Sequence, residues 1–479
     1  MPRRSVRWLL AVVALAGATA RDATPGALDA ALATPALAGA EIAALVVDAQ
    51  TGDVRFAHDP DRALVPASNQ KVLTALAALA TLGPTHRFVT SVLASGPVDA
   101  VGHVDTLYVR GGGDPALHAE DWWRLAADLR RGGLASARRL VVDDSVFDAQ
   151  WWHPSWGAPS ARPYFAPIAA LQAEGSVYAV EVRPGAEAGD PVRVSVEPPA
   201  DYLVLVSRAV TTAAGTPPSV TLDRGIGDGY ESVVVSGRIA VGDAPTVIRR
   251  SVADPTAYAG SVLAFALRAQ GIALTERQVA GRVPADATVL LAFEGRPLAD
   301  SVRLMLKYSS NPIAETLTKD LALAAGAGRA DWTSGVAASR DALTQLGVDV
   351  AGLRMVDGSG LSYENRVTPR TLVSALRIAR TSFAFGPELF SALPIAGLDG
   401  TLRSRASAVR GELRAKTGLL NHVAALSGEA LTHGGRVVVF SVLVNGYRCG
   451  DDEAMRAIDG FAAAMIESDT GGRDAGATP

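Results

Sequence analysis

The chain has 479 residues, of which 48% are hydrophobic and 20% charged, and its formal net charge is -4. This length allows two or three domains with well-buried cores, and the near-neutral charge gives no electrostatic basis for binding nucleic acid or an anionic membrane. Cys449 is the only cysteine, so no intrachain disulfide can form.

The N-terminus has the pattern of an export signal. Arginines at positions 3, 4 and 7 precede an apolar run over 8–18, and Ala18-Thr19-Ala20 presents small residues for cleavage. This pattern predicts a signal peptide over residues 1–20, cleaved after about Ala20. No later segment reaches about 18 uninterrupted apolar residues, so we expect a periplasmic or secreted protein with no transmembrane anchor after cleavage.

The first elements that follow are two strands and a helix. Residues 42–48 and 54–56 have the pattern of strands around a Thr51-Gly52-Asp53 turn. Residues 71–82 carry apolar side chains at helical spacing, and Gly83-Pro84 ends the helix. Because this helix is apolar nearly all round, we expect it at the centre of the main domain, whose first part covers 21–87.

Residues 88–255 differ from those before them, because short β-rich runs alternate there with Gly/Pro turns. We interpret them as one or two inserted, mostly-β domains. Helical periodicity returns over 257–270, 301–324 and 337–346, and strand patterns occur over 412–416 and 436–444. We therefore expect the main domain to resume over 256–467, before a Gly/Asp-rich, disordered tail over 468–479.

Three short motifs carry the chemistry, and they occur in the order Ser68-Asn69-Gln70-Lys71, Ser309-Ser310-Asn311 and Lys416-Thr417-Gly418. Each is common alone, but together they supply the parts of a serine acyl-transfer site whose general base is a lysine. Lysine occurs only at positions 71, 307, 319 and 416, whereas every other basic residue of the Lys/Arg type is arginine. Arginine does not lose its proton, while the pKa of lysine responds to burial and neighbouring charge. Two of the four lysines therefore lie where a tunable amine is needed.

Ser68 is the candidate nucleophile. Lys71 follows it by three residues on the same face of the helix start, and it could accept the hydroxyl proton if burial and a nearby charge lower its pKa. We expect Lys416 to supply that charge, and the backbone N–H of Ser68 to help bind the oxyanion. A Ser-x-x-Lys string alone has a simpler interpretation, an ordinary serine at a helix start.

The second motif precedes a predicted helix that begins near Asn311. Ser309 would point toward Lys71 and the leaving group and relay a proton, and Asn311 would hydrogen-bond an amide of the substrate. Taken alone, the same residues would be explained by helix N-capping.

The third motif ends a predicted strand. Lys416 and Thr417 would meet a carboxylate of the substrate, and Gly418 would leave room for a peptide that pairs with the strand edge. The amide of Leu419 would be the second oxyanion donor.

Several further strings accompany the motifs: Pro66-Ala67-Ser68, Gly113-Asp114-Pro115, Asp143 to Asp148, Asp357 to Ser362, Leu393 to Gly397 and Asp399 to Leu402. With the three motifs they resemble the D-alanyl-D-alanine carboxypeptidase/endopeptidase family, the low-molecular-mass class C penicillin-binding proteins of peptidase family S13. The resemblance implies an α/β (α+β) penicillin-recognising serine-hydrolase fold, with an antiparallel sheet, helices on both of its faces and an inserted mostly-β region. It also implies peptidoglycan peptides and β-lactams as partners.

The chain departs from the family pattern at three positions. Leu419 follows the third motif where family members usually have Thr or Ser, and this removes a hydroxyl for the terminal carboxylate. No carboxylate follows Trp156, where some members use an acidic residue to bind the free amine of a diamino acid in the stem peptide. Ser310 replaces a common Asp, a change we expect to be tolerated.

These observations predict a serine-type D-Ala-D-Ala carboxypeptidase or DD-endopeptidase with a Ser68 acyl-enzyme and Lys71 as base. The balance of the two activities stays open, as do two alternatives: a β-lactamase or esterase on the same scaffold, and a non-catalytic scaffold that binds peptidoglycan. No cofactor is expected, and the scattered histidines and single cysteine predict no metal site. Asp357 and Ser359 lie in a Gly-rich turn and are expected to be structural.

Overall fold

The computed structural model describes residues 25–467, so the expected signal peptide over 1–20 and the expected tail over 468–479 lie outside the described residues. The helices within 25–467 are α1 Pro25–Leu32, α2 Gln70–Leu82, α3 Ala119–Arg131, α4 Pro255–Ala269, α5 Leu298–Tyr308, α6 Asn311–Ala324, α7 Trp332–Gln345, α8 Pro369–Thr381, α9 Gly386–Ala392 and α10 Asp451–Glu467. The strands are β1 Glu41–Asp48, β2 Val54–His58, β3 Arg87–Ala94, β4 His103–Arg110, β5 Ser136–Asp143, β6 Val177–Arg183, β7 Arg193–Glu197, β8 Leu203–Ser207, β9 Val210–Thr212, β10 Thr221–Gly227, β11 Tyr230–Ser236, β12 Arg238–Ala240, β13 Thr246–Ser251, β14 Ala273–Leu274, β15 Val279–Ala280, β16 Thr288–Pro297, β17 Leu413–Leu420, β18 Val423–Leu431 and β19 Val437–Asn445.

The main domain is built on a five-stranded antiparallel sheet with the order β17-β18-β19-β1-β2. Alternate residues of β1 enter two different cores: Leu45 and Val47 pack with α2 and α5 to α9, whereas Ala44 and Val46 pack with α1 and α10. Because both faces of β1 are buried, its sequence is a continuous run of apolar residues and does not alternate with polar ones. The predicted α/β fold, an antiparallel sheet with helices on both faces, is therefore confirmed.

Helix α2 lies in the centre of the larger of these cores, and its residues 70–79 are all buried. The helix ends at Gly83, which adopts a φ of 84° and donates its N–H to the carbonyl of Leu79. A core position is what the sequence predicted for a helix that is apolar nearly all round. Its buried N-terminal turn carries Lys71 into the interior.

The insertion has its own core, and its extent differs from the sequence expectation. One sheet has the order β14-β5-β4-β3-β16, and the apolar cluster around it includes Tyr258 and Leu263 of α4 and Phe293 of β16. Leu298, at the start of α5, packs instead in the core around α2. From this packing we propose a second boundary near 297, where the sequence suggested 255, because periodicity identified α4 as a helix without indicating the sheet on which it packs. Both α3 and α4 pack in this core, so the region is less purely β than expected.

A buried lysine joins the insertion to the main domain. Lys319 of α6 has its Nζ 2.5 Å from Asp148 Oδ1 and 2.9 Å from the carbonyl oxygen of Gln150. The same ammonium lies 3.7 Å from the ring centroid of Trp332, a cation–π contact. Within residues 25–467, no helix combines the length and apolar character needed to cross a membrane.

Candidate active site

Ser68 lies at the mouth of a cleft, in a short 3₁₀ turn over Ala67–Asn69 that leads directly into α2. Ala67 has a φ of 46°, in the left-handed region that favours glycine, so the turn is strained. A loop over 357–362 packs tightly against it: a Cβ on Gly360 would lie 1.8 Å from the carbonyl oxygen of Ala67. The turn therefore holds Ser68 in a fixed position relative to α2.

Lys71 is fully buried beneath Ser68, and its Nζ lies 2.9 Å from Ser68 Oγ. Two acceptors surround the same nitrogen, Asn311 Oδ1 at 2.6 Å and the carbonyl oxygen of Ser359 at 2.7 Å. A neutral amine has two N–H donors and one lone pair, so these two acceptors would direct the lone pair toward the Ser68 hydroxyl. Burial lowers the pKa of Lys71 to about 7, against the opposing effect of the carboxylates of Glu315 and Asp357.

Lys416 is also fully buried, and its Nζ donates to Ser309 Oγ at 3.0 Å and to the carbonyl oxygen of Thr417 at 2.7 Å. Burial lowers the pKa of Lys416 well below its ordinary value, and the charge of Lys71 lowers it further. Burial, which the sequence led us to expect, is the leading cause of the lowered pKa of Lys71. The charge of Lys416, also expected to contribute, is not among the causes at Lys71, whereas the charge of Lys71 does lower the pKa of Lys416.

The second motif places its three residues in three different environments. Ser309 follows the last residue of α5 and lies in the left-handed region, with φ 58° and ψ 38°. We expected its hydroxyl to point toward Lys71, but the hydroxyl contacts Lys416. Ser310 caps α6 by accepting the backbone N–H of Ile313, so the N-capping role belongs to this residue. Asn311 accepts from Lys71 and donates its Nδ2 to the carbonyl oxygen of Tyr164 at 2.9 Å. The side-chain amide of Asn311 is thus engaged at both ends before any substrate binds.

The third motif lies on β17, at the edge of the main sheet beside the Ser68 turn. A Cβ on Gly418 would lie 2.8 Å from the carbonyl oxygen of Pro66, so glycine lets the strand approach that turn. The Thr417 hydroxyl lies 2.7 Å from that of Thr401. Leu419 is 42% exposed and faces the cleft.

The support behind Lys71 was not predicted from the sequence. Glu315, one helical turn after Asn311, is fully buried and accepts the N–H groups of Gly358 at 3.1 Å and Ser359 at 2.7 Å. Asp357 accepts the N–H groups of Gly360 and Ser362. These carboxylates fix the loop whose Ser359 carbonyl contacts Lys71, so the turn is structural but belongs to the site. A Glu four residues after Asn311 on an apolar helix face was the available signal.

The cleft at Ser68 has a volume of about 530 Å³ and is walled by aromatic and apolar side chains, among them Trp156, Tyr164, Tyr363 and Leu419. Arg162 also lines it, and no carboxylate follows Trp156. Among residues 25–467, no group of three or more His, Cys, Asp or Glu side chains is placed to hold a metal ion.

The fold and this site define a penicillin-recognising protein, with a helical core on one face of an antiparallel sheet and a Ser-x-x-Lys turn at the head of the central helix. The profile of the D-Ala-D-Ala carboxypeptidase 3 (S13) family matches residues 25–465, and the chain belongs to that family. The recognition made from the motifs is confirmed.

Individual relatives agree with this assignment. A D-alanyl-D-alanine carboxypeptidase from an Actinomadura species is 37% identical over 445 residues, which cover 88% of this chain and 80% of the relative. Penicillin-binding protein 4 (DacB) of Haemophilus influenzae has a similar crystal structure, with a TM-score of 0.76, 26% identity and coverage of 91% of this chain and 98% of that one. A second structure of that protein, complexed with a β-lactam, has a TM-score of 0.71 at 26% identity and the same coverage.

Proposed function

We propose that this protein is a serine-type peptidase that cleaves the D-Ala-D-Ala bond of peptidoglycan stem peptides, or a D-Ala cross-link between them, through an acyl-enzyme on Ser68. The observation that carries the proposal is the contact of 2.9 Å between Lys71 Nζ and Ser68 Oγ, at a lysine whose pKa burial lowers to about 7. At neutral pH a large fraction of such a lysine is the free amine that a serine nucleophile requires.

In the proposed reaction, Ser68 Oγ attacks the carbonyl carbon of the penultimate D-Ala while Lys71 takes the hydroxyl proton. The backbone N–H groups of Ser68 and Leu419 stabilise the oxyanion. The C–N bond then breaks as the Ser309 hydroxyl gives its own proton to the leaving amine. The proton held by Lys71 then restores the Ser309 hydroxyl, which leaves Lys71 neutral. Water attacks the ester with Lys71 again as base, which releases the peptide as a carboxylic acid and regenerates Ser68.

The carboxylate on the amine side of the scissile bond would be bound by hydroxyls of the third-motif region. Lys416 is buried and hydrogen-bonded to Ser309 and to the carbonyl oxygen of Thr417, so it would act from behind the cleft by positioning these two residues. The hydroxyls of Thr417 and Thr401 form a pair at that point, and Thr401 would supply the second hydroxyl that Leu419 lacks. We propose a periplasmic or secreted location, where peptidoglycan is accessible.

The test is the intact mass of the purified protein after incubation with benzylpenicillin, with peptide mapping and a Ser68→Ala control. A mass increase of one penicillin at Ser68, absent from the variant, supports the acyl-enzyme; release of D-Ala from a stem pentapeptide then supports the peptidase. Rapid hydrolysis of penicillin without peptide cleavage would indicate a β-lactamase instead. A protein that forms no adduct and hydrolyses neither compound would be a non-catalytic scaffold.

A further inference from the structure

A second cleft opens beside the one at Ser68, on the side of the insertion. Its volume is about 600 Å³, and it shares Tyr164, Ser309 and Asn311 with the Ser68 cleft. The two clefts therefore meet at residues of the second motif and not at an unrelated surface. Tyr308, which is 70% exposed, lines only the second cleft and precedes Ser309 directly.

The opposite wall of the second cleft is the three-stranded sheet β13-β6-β7 of the insertion. Arg249 and Glu197 are the register partners of Ala179 on its two sides, so all three lie in one row on one face of the sheet. Strands are about 4.8 Å apart, which separates the Arg249 and Glu197 backbones by roughly 10 Å across the small Ala179. Both charged residues are exposed, and within residues 25–467 neither forms an ion pair. The row thus offers one cation and one anion over a shallow floor.

The second cleft adjoins Ser309, and this position indicates which part of the substrate it would bind. Ser309 is the residue proposed to give a proton to the leaving amine, so the amine and whatever is attached to it lie next to Ser309. A D-Ala leaving group is too small to extend beyond the Ser68 cleft. A leaving group that is itself part of a peptide would continue from Ser309 past Tyr308 toward the row of Arg249 and Glu197.

Given the proposed function, on which this inference rests, we propose that the second cleft binds the peptide arm attached to the leaving amine. Arg249 would bind a carboxylate and Glu197 an ammonium group of that arm, and Tyr308 would pack along its backbone. The substrate class that fills both clefts is a two-armed, cross-linked peptide with free carboxylate and ammonium groups. The cleft would act through substrate binding, because Arg249, Glu197 and Ala179 do not line the Ser68 cleft.

The experiment compares two substrates of matched sequence: a linear stem peptide that ends in D-Ala-D-Ala, and a pair of stem peptides joined by a D-Ala cross-link. Arg249→Glu should raise KM for the cross-linked substrate, and so lower kcat/KM, by at least about 10-fold. The reason is that reversing the charge at one contact with the substrate weakens binding by at least about 10-fold. Ala179→Trp, which fills the floor between the two charges, should do the same. Neither change should alter cleavage of the linear peptide more than about 2-fold, because that substrate places nothing in the second cleft.

Arg193→Glu is the matched control, since Arg193 is exposed on the same face of the same sheet but outside the cleft, and it should leave both substrates unaffected. Acylation of each variant by benzylpenicillin verifies an intact Ser68 site. The role of the second cleft is refuted if wild-type protein that benzylpenicillin can acylate, and that releases D-Ala from the linear peptide, does not cleave the cross-linked substrate. It is also refuted if Arg249→Glu and Ala179→Trp change both substrates equally or change neither. Failure of wild-type protein to be acylated or to release D-Ala refutes the proposed function itself.

Discussion

The close packing of Gly360 against the Ser68 turn allows a test of whether the loop over 357–362 positions Lys71. A Cβ at position 360 would lie 1.8 Å from the carbonyl oxygen of Ala67 and 2.6 Å from its carbonyl carbon, where both neighbours are backbone. Relief of this overlap in Gly360→Ala requires the loop over 357–362 to move by roughly 1 Å or more, since non-bonded atoms gain their contact energy only near 3.5–4.0 Å. The adjacent Ser359 carbonyl, 2.7 Å from Lys71 Nζ, would then leave hydrogen-bonding range.

Two costs follow from that movement. An alanine at the φ of 81° of Gly360 loses about 1–2 kcal/mol of stability. A lost hydrogen bond from the protonated form of Lys71 costs a further amount of about 1.5–3 kcal/mol, which gives about 2.5–5 kcal/mol in total. A 1 Å error in the position of a catalytic group costs about 100-fold in rate, so we expect penicillin acylation of Ser68 to slow by about that factor.

The assay is the rate of penicillin acylation followed by intact mass, with urea unfolding for stability. Gly347→Ala is the matched control, because Gly347 also has a φ of 81° but a Cβ there would meet nothing within 4 Å. It should lose about 1–2 kcal/mol and keep the wild-type acylation rate. Equal acylation rates in Gly360→Ala and Gly347→Ala would refute the positioning role of the loop.

Three further predictions concern the lysine base and the threonine pair. The acylation rate should rise with pH to a plateau with a midpoint near 7, because only the neutral form of Lys71, which predominates above its lowered pKa, accepts the proton of Ser68; a rate independent of pH between 5 and 9 would contradict this. Lys71→Arg should reduce acylation by at least about 1000-fold, since a guanidinium stays protonated, and melting temperature checks that the variant folds; acylation within 10-fold of wild type would exclude Lys71 as the base. Thr401→Val, which removes the hydroxyl bonded to Thr417, should raise KM for a D-Ala-D-Ala peptide about 10-fold with little change in kcat, as expected for one lost hydrogen bond to a carboxylate; steady-state kinetics that show only a kcat effect would place Thr401 elsewhere in the reaction.

The structure explains why the chain has only four lysines among its many basic residues. All four are buried, although the sequence analysis gave a role only to Lys71 and Lys416. Lys307 donates to Asp399 Oδ2 and to the carbonyl oxygen of Leu393, each at 2.6 Å, and so ties the end of α5 to the segment that carries Thr401. Lys319 joins α6 to the insertion. A compact ammonium with three donors fits such interior positions, whereas the exposed cations of this chain are arginines.

The relation between Ser68 and Lys71 was predictable because it is local. Two residues three apart at a helix start share a face in any fold, and the apolar period of α2 indicated that this face would be buried. Recognition of the family followed from the order of the three motifs. The strands β1 and β2 and the helix α2 were predicted for the same reason, since their patterns extend over a few adjacent residues.

What the sequence by itself determined about this protein is therefore its family, its main sheet and central helix, and the pairing of Ser68 with Lys71. Only the tertiary structure decided which core α4 joins, that Ser309 meets Lys416, and that Gly418 is needed for packing against the Ser68 turn. It also decided that Glu315 supports the loop behind Lys71 and that a second cleft meets the first at Ser309. The physical reason is that these contacts join residues tens to hundreds of positions apart. Their geometry depends on how whole helices and strands pack against each other. A periodic pattern within one element does not determine that packing.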